Sequence, residues 1–288
     1  MRERLLLRPA SIASQSALTG DVAYLRLFIV NIVMIGRPEA GDRGWVLIDT
    51  GLTGASKFIE RAAERRFGAG ARPAAIILTH GHFDHIGSVQ ALAKKWDAPV
   101  YAHPLELPYL QGQASYPPAD PQVGGGLMAW ISKIYPRGPI DLREIVELPP
   151  SGAVPFLSDW RWIHTPGHSP GHISLWRVRD RCLISGDAVI TTRQESAWAV
   201  LVQRGEMKGP PAYFTIDWVA AAASAATLAA LHPDILVAGH GRPIQGPEVE
   251  EKLGALAERF ALLAVPERGR YVFRPATPLN GEAYQRPR

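Results

Sequence analysis

The sequence predicts an α/β fold, because short apolar runs alternate with segments of helical periodicity along most of the chain. Hydrophobic residues make up 47% of its 288 residues and charged residues 20%, which is enough apolar material for a large packed core and excludes a mainly disordered chain. Several predicted strands end in Gly-containing turns that carry His or Asp residues. Turns at one edge of a sheet come together in space, so these residues predict one site at that edge.

The predicted elements follow one another as short strands and amphipathic helices. The strands span 22–35 (a strand pair or one long strand), 44–48, 74–78, 99–102, 160–164, 172–178, 181–184 and 234–238. The helices span 55–67, a segment that ends near Trp96, 217–231 and 247–263. Two long segments carry no predicted strand or helix: a Pro- and Gly-rich insertion, 104–150, and a loop, 191–214. Segments of this kind are commonly lids or binding loops.

The composition limits the classes of partner and location. A formal net charge of +4 without a run of five basic residues gives no support for nucleic-acid binding. Neither apolar stretch, 22–35 or 219–231, reaches the roughly 18 uninterrupted apolar residues of a spanning helix, so we expect no membrane segment. The single cysteine, Cys182, excludes an internal disulfide and is predicted to be inert core. Residues 1–8 are too short an apolar stretch for a secretory signal, and we expect a cytoplasmic protein.

The segment 79–85, with the sequence Thr-His-Gly-His-Phe-Asp-His, follows a predicted strand and precedes a helix. Alternate residues of an extended turn project to one side, so His80 and His82 can converge on one ion. The bend into the helix then lets Asp84 and His85 face a second ion. Imidazole and carboxylate are ligand types that suit zinc, iron and manganese. The segment therefore predicts metal binding.

Three further turns place a metal-ligand residue type among glycines after a predicted strand. They carry His168 within 165–172, Asp187 within 185–187 and His240 within 238–241. With these motifs in this order, the chain resembles the metallo-β-lactamase-fold hydrolase superfamily over roughly residues 22–263, and in particular its glyoxalase-II-like and lactonase-like branches. Asp187 stands where the lactamase branches usually place Cys or Ser, which argues against β-lactamase activity.

The resemblance implies a fold and a ligand set. The fold is a four-layer αββα sandwich, expected as a single domain over 1–288, with the metals at one sheet edge and 104–150 as an insertion. The implied ligands are His80, His82 and His168 for a first metal, Asp84, His85 and His240 for a second, and Asp187 as the bridge between them. The implied cofactors are two divalent ions, zinc first, with iron or manganese as alternatives.

The resemblance also implies a reaction. A hydroxide that bridges the metals would attack a small ester, lactone or thioester with an apolar portion, and the metals would stabilise the oxyanion. Asp84, as proton relay, and Asp187 are the predicted catalytic residues. Two alternatives stay open: a glyoxalase-II-like thioesterase, and a mononuclear iron oxygenase of the persulfide-dioxygenase kind that uses His80, His168 and Asp187. The complete ligand set disfavours a non-catalytic binding module. The expected partner is a small-molecule substrate, and homodimerisation through the insertion stays open.

Other polar and aromatic residues have weaker predictions. Asp49 is either a turn cap or the group that orients a ligating imidazole, and the family pattern favours the second interpretation. We expect His172 to support the site through hydrogen bonds. Structural roles are predicted for three further histidines: His103, His164 and His232. Six aromatic residues of the two long segments form either an apolar substrate wall or a small core of their own: Tyr109, Tyr116, Trp130, Trp198, Tyr213 and Phe214.

Overall fold

The computed structural model describes residues 13–202 and 205–287, in which two β-sheets pack face to face. The first sheet has seven strands in chain order: β1 (Ala13–Ala17), β2 (Val22–Leu27), β3 (Val30–Ile35), β4 (Val46–Ile48), β5 (Ala75–Ile77), β6 (Val100–Ala102) and β7 (Ile145–Glu147). The second sheet has six, also in chain order: β8 (Ala153–Val154), β9 (Leu157–His164), β10 (Ile173–Arg177), β11 (Cys182–Gly186), β12 (Ile235–Ala238) and β13 (Ile244–Gln245). Strands β4 to β7 are parallel to one another, and so are β11 and β12.

The described residues form nine α-helices, several of which pack on the outer faces of the two sheets. They are α1 (Ser56–Phe67), α2 (Phe83–Ile86), α3 (Val89–Trp96), α4 (Leu107–Leu110), α5 (Leu127–Ile131), α6 (Ala197–Val202), α7 (Trp218–Ala229), α8 (Glu248–Glu258) and α9 (Phe260–Leu263). Helix α1 buries residues 59, 62, 63 and 67, the spacing of one helical face. Within the described residues, no helix has the length and apolar character needed to cross a bilayer.

Alternation along the strands separates the core into layers. In β4, Leu47 packs under α1 and α3, whereas Val46 and Ile48 point into the space between the sheets, as the period of two in a strand requires. Leu175 and Ile184 of the second sheet fill the same space from the other side. A third apolar cluster joins the second sheet to α7 and α8. The four-layer αββα sandwich is confirmed.

Of the two alternatives for 22–35 the strand pair is confirmed, because Phe28 takes a left-handed conformation (φ 57°) between β2 and β3. Other predicted elements need correction. The helix predicted over 247–263 is two helices, since Arg259 leaves helical geometry (φ −116°, ψ 27°). No strand or helix was predicted in segments 104–150 and 191–214, but the first contains α4, α5 and β7, and the second contains α6. The burial of Cys182 in the core is confirmed.

Arg177 on β10 connects the two sheets at one end. Its side chain is completely buried, donates to Asp21 of the first sheet's β1–β2 turn at 2.8 and 3.0 Å, and donates to Asp180 at 2.6 and 2.8 Å. The guanidinium also lies 4.6 Å from the ring centroid of Trp160. A buried cation with this many charged partners stabilises the fold only as long as the whole set is present.

We expect Arg177→Met to lower the free energy of unfolding by about 3 kcal/mol, because it leaves Asp21 and Asp180 without their buried cation. Denaturant unfolding measures the loss. The matched control is Arg179→Met, which removes a half-exposed arginine that also contacts Asp21 and should cost at most about 1 kcal/mol. Equal losses in the two variants would contradict this account.

The same contact has a pH signature. Burial raises the pKa of Asp21, but hydrogen bonds from Arg177, Thr19 and Arg179 outweigh it and lower the pKa from 3.8 to about 2. A lowered pKa contributes stability above the unfolded value and loses it as the pH falls through the folded value. The stability difference between the wild type and Arg177→Met should therefore shrink between pH 3.8 and about 2.

Candidate metal centre

The seven predicted ligand side chains lie in one buried cluster at the meeting edge of the two sheets. Each comes from a turn, or from the helix just after it, at the end of a strand: β5 is followed by the 80–85 segment, β9 by His168, β11 by Asp187 and β12 by His240. Since β9 and β11 run in the same direction and β12 is parallel to β11, their ends share one edge. Every one of the seven residues is at most 6% exposed.

The first set consists of His80, His82 and His168, whose ligand atoms all lie within 4.8 Å of one another. His82 Nδ1 and His168 Nε2 are 2.9 Å apart. Two nitrogens bound to one zinc at about 2.0–2.1 Å cannot be more than about 4 Å apart, so this pair fits a shared ion. His80 Nε2 is buried and has no hydrogen-bond partner in the described chain, whereas its Nδ1 lies 3.1 Å from the Thr79 hydroxyl.

The second set consists of Asp84, His85 and His240, again within 4.8 Å of one another. Both histidines form a hydrogen bond through Nδ1, on the side of the ring away from the cluster: His85 donates to Asp49 at 2.8 Å and His240 donates to the Ile29 carbonyl at 2.6 Å. Each ring therefore presents Nε2 to the cluster, and His240 Nε2 lies 3.4 Å from Asp84 Oδ2. Fixing the ring through its other nitrogen is how proteins orient an imidazole toward a metal.

Asp187 faces both sets. Its Oδ2 lies 3.5 Å from His168 Nε2, 3.5 Å from His85 Nε2 and 3.1 Å from His240 Nε2. Burial raises the pKa of Asp187, but His240 and His85 outweigh it and hold that pKa well below its usual range. The structure therefore places an ionised carboxylate between the two groups of ligands.

The imidazoles of the first set, unlike the Asp187 carboxylate, are held in their neutral form. Burial and the neighbouring rings hold the pKa values of His80 and His168 well below the usual value, and they lower the pKa of His82 to about 3. Neutral imidazole is the form that binds a metal, so these three rings are ready to do so at neutral pH. Three neutral imidazoles, two more imidazoles and two carboxylates fit a pair of divalent cations.

Two supporting residues behave as predicted. Asp49, in a left-handed conformation with φ 59°, accepts from the Thr79 N–H and hydroxyl at 2.8 Å each, in addition to its bond with His85. The hydrogen bond with His85 favours the interpretation of Asp49 as the group that orients this imidazole over that of a turn cap. His172 Nε2 accepts from the Asp187 N–H at 2.9 Å, which confirms its supporting role.

The histidines predicted to be structural lie outside the cluster. His103 and His164 stack on each other with ring centroids 4.3 Å apart, and His103 also caps a 3₁₀ turn. His232 is exposed and bonds Glu250 at 2.7 Å. These predictions are confirmed.

The six aromatic residues, predicted to form either a substrate wall or a small core of their own, do not share one environment. Trp130 and Trp198 are 59% and 61% exposed, because each occupies the outer face of a short helix. Tyr109 instead stacks on Tyr116 at 3.7 Å, in a small core that the C-terminal segment completes. Phe214 lies against the cluster, stacked on His82 at a centroid distance of 4.7 Å.

Four aromatic residues cluster around the Phe214 contact. Tyr116 reaches the His82 ring at 4.4 Å from its small core, and Tyr213 is buried beside Phe214. Half-buried Phe83 and Tyr135 extend the aromatic group, with ring centroids 5.3 Å apart. Sequence reasoning missed these last two, although Phe83 stands inside the motif itself.

Two polar residues that hold the turns were also missed. Asn31 of β3 donates to the carbonyls of Ala238 and Gly241 at 2.9 and 2.6 Å, on both sides of His240. Its signal in the sequence is a buried amide within the otherwise apolar run of β3. Glu106, inside the insertion, is the second, and its carboxylate contacts two of the ligand turns.

The family model described as "Metallo-beta-lactamase superfamily" matches residues 25–240. The chain belongs to this superfamily. "Probable metallo-hydrolase YflN" from Bacillus subtilis (strain 168) is 48% identical over 238 residues, which cover 82% of this chain and 90% of that protein. Two groups of findings, the relatives and the buried His/Asp cluster, thus support an enzyme of the metal-dependent hydrolase class.

Solved structures of other proteins agree with the fold. The crystal structure of TTHA1623 in a di-iron-bound form has a TM-score of 0.51 and 26% identity, covering 81% of this chain and 95% of that one. The crystal structure of the BLEG-1 B3 metallo-beta-lactamase has a TM-score of 0.55 and 21% identity, covering 85% of this chain and 96% of that one. The second likeness shows the fold alone.

We expect Asp49→Asn to weaken metal binding by about 10- to 100-fold, because an amide in place of the carboxylate orients the His85 ring less strongly. Metal content after dialysis against graded chelator measures the effect. The matched control is Asp97→Asn, the same substitution at another left-handed aspartate (φ 49°), which ends α3 at the surface. If both variants retain metal as the wild type does, the assigned role of Asp49 is wrong.

Proposed function

We propose that the protein is a dinuclear metal-dependent hydrolase that acts on a small ester, lactone or thioester with an apolar portion. The position of Asp187 Oδ2, within 3.5 Å of ligand nitrogens from both sets, carries the proposal. A mononuclear iron oxygenase that uses His80, His168 and Asp187 has no need of the second set. The presence of Asp84, His85 and His240 around the same carboxylate therefore favours two ions.

A pair of divalent ions supplies Lewis acidity and lowers the pKa of a bound water, so the protein needs no Ser or Cys nucleophile. The residues that would hold that pair are His80, His82 and His168 in one set, Asp84, His85 and His240 in the other, and Asp187, which faces both sets. Zinc is the proposed metal, because its borderline character suits this mixed donor set. Iron is the second candidate, since TTHA1623 has been solved with two irons and shares the fold.

Asp84 is the proposed proton carrier. Burial raises the pKa of its carboxyl, and its side chain is 9% exposed, against 2% for Asp187. A carboxyl with a raised pKa takes up and releases a proton more readily at neutral pH. In the proposed reaction Asp84 receives on its carboxylate oxygen the proton that the attacking water loses, and passes it to the leaving alkoxide or thiolate.

The apolar portion of the substrate is proposed to lie against the aromatic group beside the first set. Phe214 covers one face of His82, and Phe83 and Tyr135 continue from it toward Met128, whose sulfur lies 3.7 Å from the Tyr135 hydroxyl. These side chains offer hydrocarbon and ring surface next to the ligands. They do not distinguish an ester or lactone from a thioester, so a glyoxalase-II-like thioesterase remains the second candidate.

Replacement of His82 or Asp187 by Ala should abolish turnover of every substrate, because each change removes a ligand of the first set or the group shared by both. The measurements are metal content per chain and turnover of a panel of lactones, thioesters, phosphodiesters and β-lactams. We expect two metals per wild-type chain and activity on lactones, esters or thioesters. One iron per chain together with sulfite formation from a persulfide would identify the oxygenase instead.

Phe214→Ala should lower kcat/KM for esters with a long apolar acyl group by about tenfold or more, since burying an aromatic surface is worth about 1.5–3 kcal/mol. Acetyl esters should lose less, because they do not reach the aromatic group. The matched control is Trp198→Ala, an exposed aromatic residue of the same loop, which should leave both substrates unaffected. A uniform loss for short and long acyl groups would show that Phe214 acts only through the packing of His82.

A further inference from the structure

Glu106 is a completely buried carboxylate in the Pro-rich insertion. Its Oε1 accepts from the Ser169 hydroxyl at 2.8 Å and from the Gly171 N–H at 2.7 Å. Its Oε2 accepts from the Gly81 N–H at 2.9 Å and from the Tyr116 hydroxyl in a very short bond. All four donors are neutral groups, and each carboxylate oxygen receives two of them.

Three of the four donors come from the two turns that supply the first ligand set, and the fourth, Tyr116, belongs to the insertion. Gly81 stands between His80 and His82, and Ser169 follows His168 directly. The two turns are far apart in the sequence, since His82 and His168 are 86 positions from each other. One carboxylate therefore spans the gap between them and bonds the backbone of both.

The glycines at these contacts fit the same arrangement. A Cβ atom at Gly81 would lie 2.6 Å from the Tyr116 hydroxyl, and one at Gly171 would lie 2.8 Å from Glu106 Cγ. Real side chains do not come this close, so the turns can approach the carboxylate only as glycine backbone. The insertion residues Glu106 and Tyr116 are thus built into the wall of the cluster behind the ligands.

We propose that Glu106 is a positioning residue for the first metal. By accepting from both turns it holds His82 Nδ1 and His168 Nε2 at the 2.9 Å separation at which one ion can bind both. An amide replaces it poorly, because at either oxygen position its NH₂ would face a backbone N–H, which cannot accept a hydrogen bond. The inference rests on the proposed function in one respect, namely that the three-histidine set binds a metal.

The test measures cobalt(II) affinity by competition with a chelator in two backgrounds. His240→Ala lacks a ligand of the second set, so bound cobalt reports the first set; His82→Ala lacks a ligand of the first set and reports the second. We expect Glu106→Gln to weaken cobalt binding by about 10- to 100-fold in the His240→Ala background. In the His82→Ala background it should leave the affinity unchanged. The visible spectrum of the cobalt bound to the first set should change as well.

Asp120→Asn is the matched control. Asp120 is also a buried carboxylate that accepts backbone N–H groups, from Gln122 at 3.1 Å and from Arg270, but neither donor adjoins a ligand. It should lower stability while leaving both cobalt affinities and the spectrum unchanged. Should Glu106→Gln fail to fold, Tyr116→Phe decides, since it removes one of the four donors and should weaken the first set by a smaller factor with the second unchanged.

The outcomes separate the two proposals. Equal weakening of both sets, or no weakening of the first, overturns the positioning role of Glu106. An unchanged first-set affinity in Tyr116→Phe does the same if Glu106→Gln cannot be purified. A wild-type chain that binds no divalent metal overturns the proposed function itself, whatever the variants do.

Discussion

The burial of the Asp187 charge is the constraint on which the rest of the centre depends. A carboxylate with 2% side-chain exposure is unfavourable unless cations or strong donors surround it. Here the imidazoles of both sets surround Oδ2, and the backbone of Asp187 is itself held by His172. The neighbouring turn must come very close: a Cβ atom at Gly239 would lie 2.1 Å from Asp187 Oδ1. The position of the Asp187 carboxylate therefore requires a glycine at residue 239, next to His240.

The first sheet supplies the support for ligands that the second sheet carries. The β2–β3 turn accepts from His240 through the Ile29 carbonyl, and Asn31 donates to the backbone on both sides of His240. Asn31 N–H also donates to the Gly239 carbonyl at 2.7 Å. Because these bonds cross from one sheet to the other, the second ligand set exists only in the packed sandwich. Metal binding and the face-to-face packing of the sheets are therefore coupled.

The sequence could predict the members of the His/Asp cluster because each belongs to a short local pattern, a strand followed by a Gly-containing turn with His or Asp. It could predict the sandwich only through the resemblance that those patterns carry. Glu106 has no such pattern: its partners are two glycine N–H groups and two hydroxyls, 10 to 65 positions away, which meet only after folding. The edge strands β8 and β13 were missed because each has only two residues, too few to show the alternation of apolar and polar residues that predicts a strand. The position of Tyr109 depends on its contact with Tyr284, a residue distant in sequence, and no local pattern indicates that contact.

The depth of the cluster has a consequence for the proposed chemistry. Asp84 is the most exposed of the seven side chains, and its neighbour Phe83 belongs to the aromatic group that includes Phe214. A reacting group that approaches from this side loses contact with water and packs against aromatic rings. Charge interactions are stronger there than in bulk solvent. Under the proposed function the two carboxylates would have different roles: Asp187, held ionised by imidazoles, would stay with the cations, whereas Asp84, with a raised pKa at the more exposed side, would exchange a proton with the leaving group. Environment alone gives two chemically identical side chains different roles.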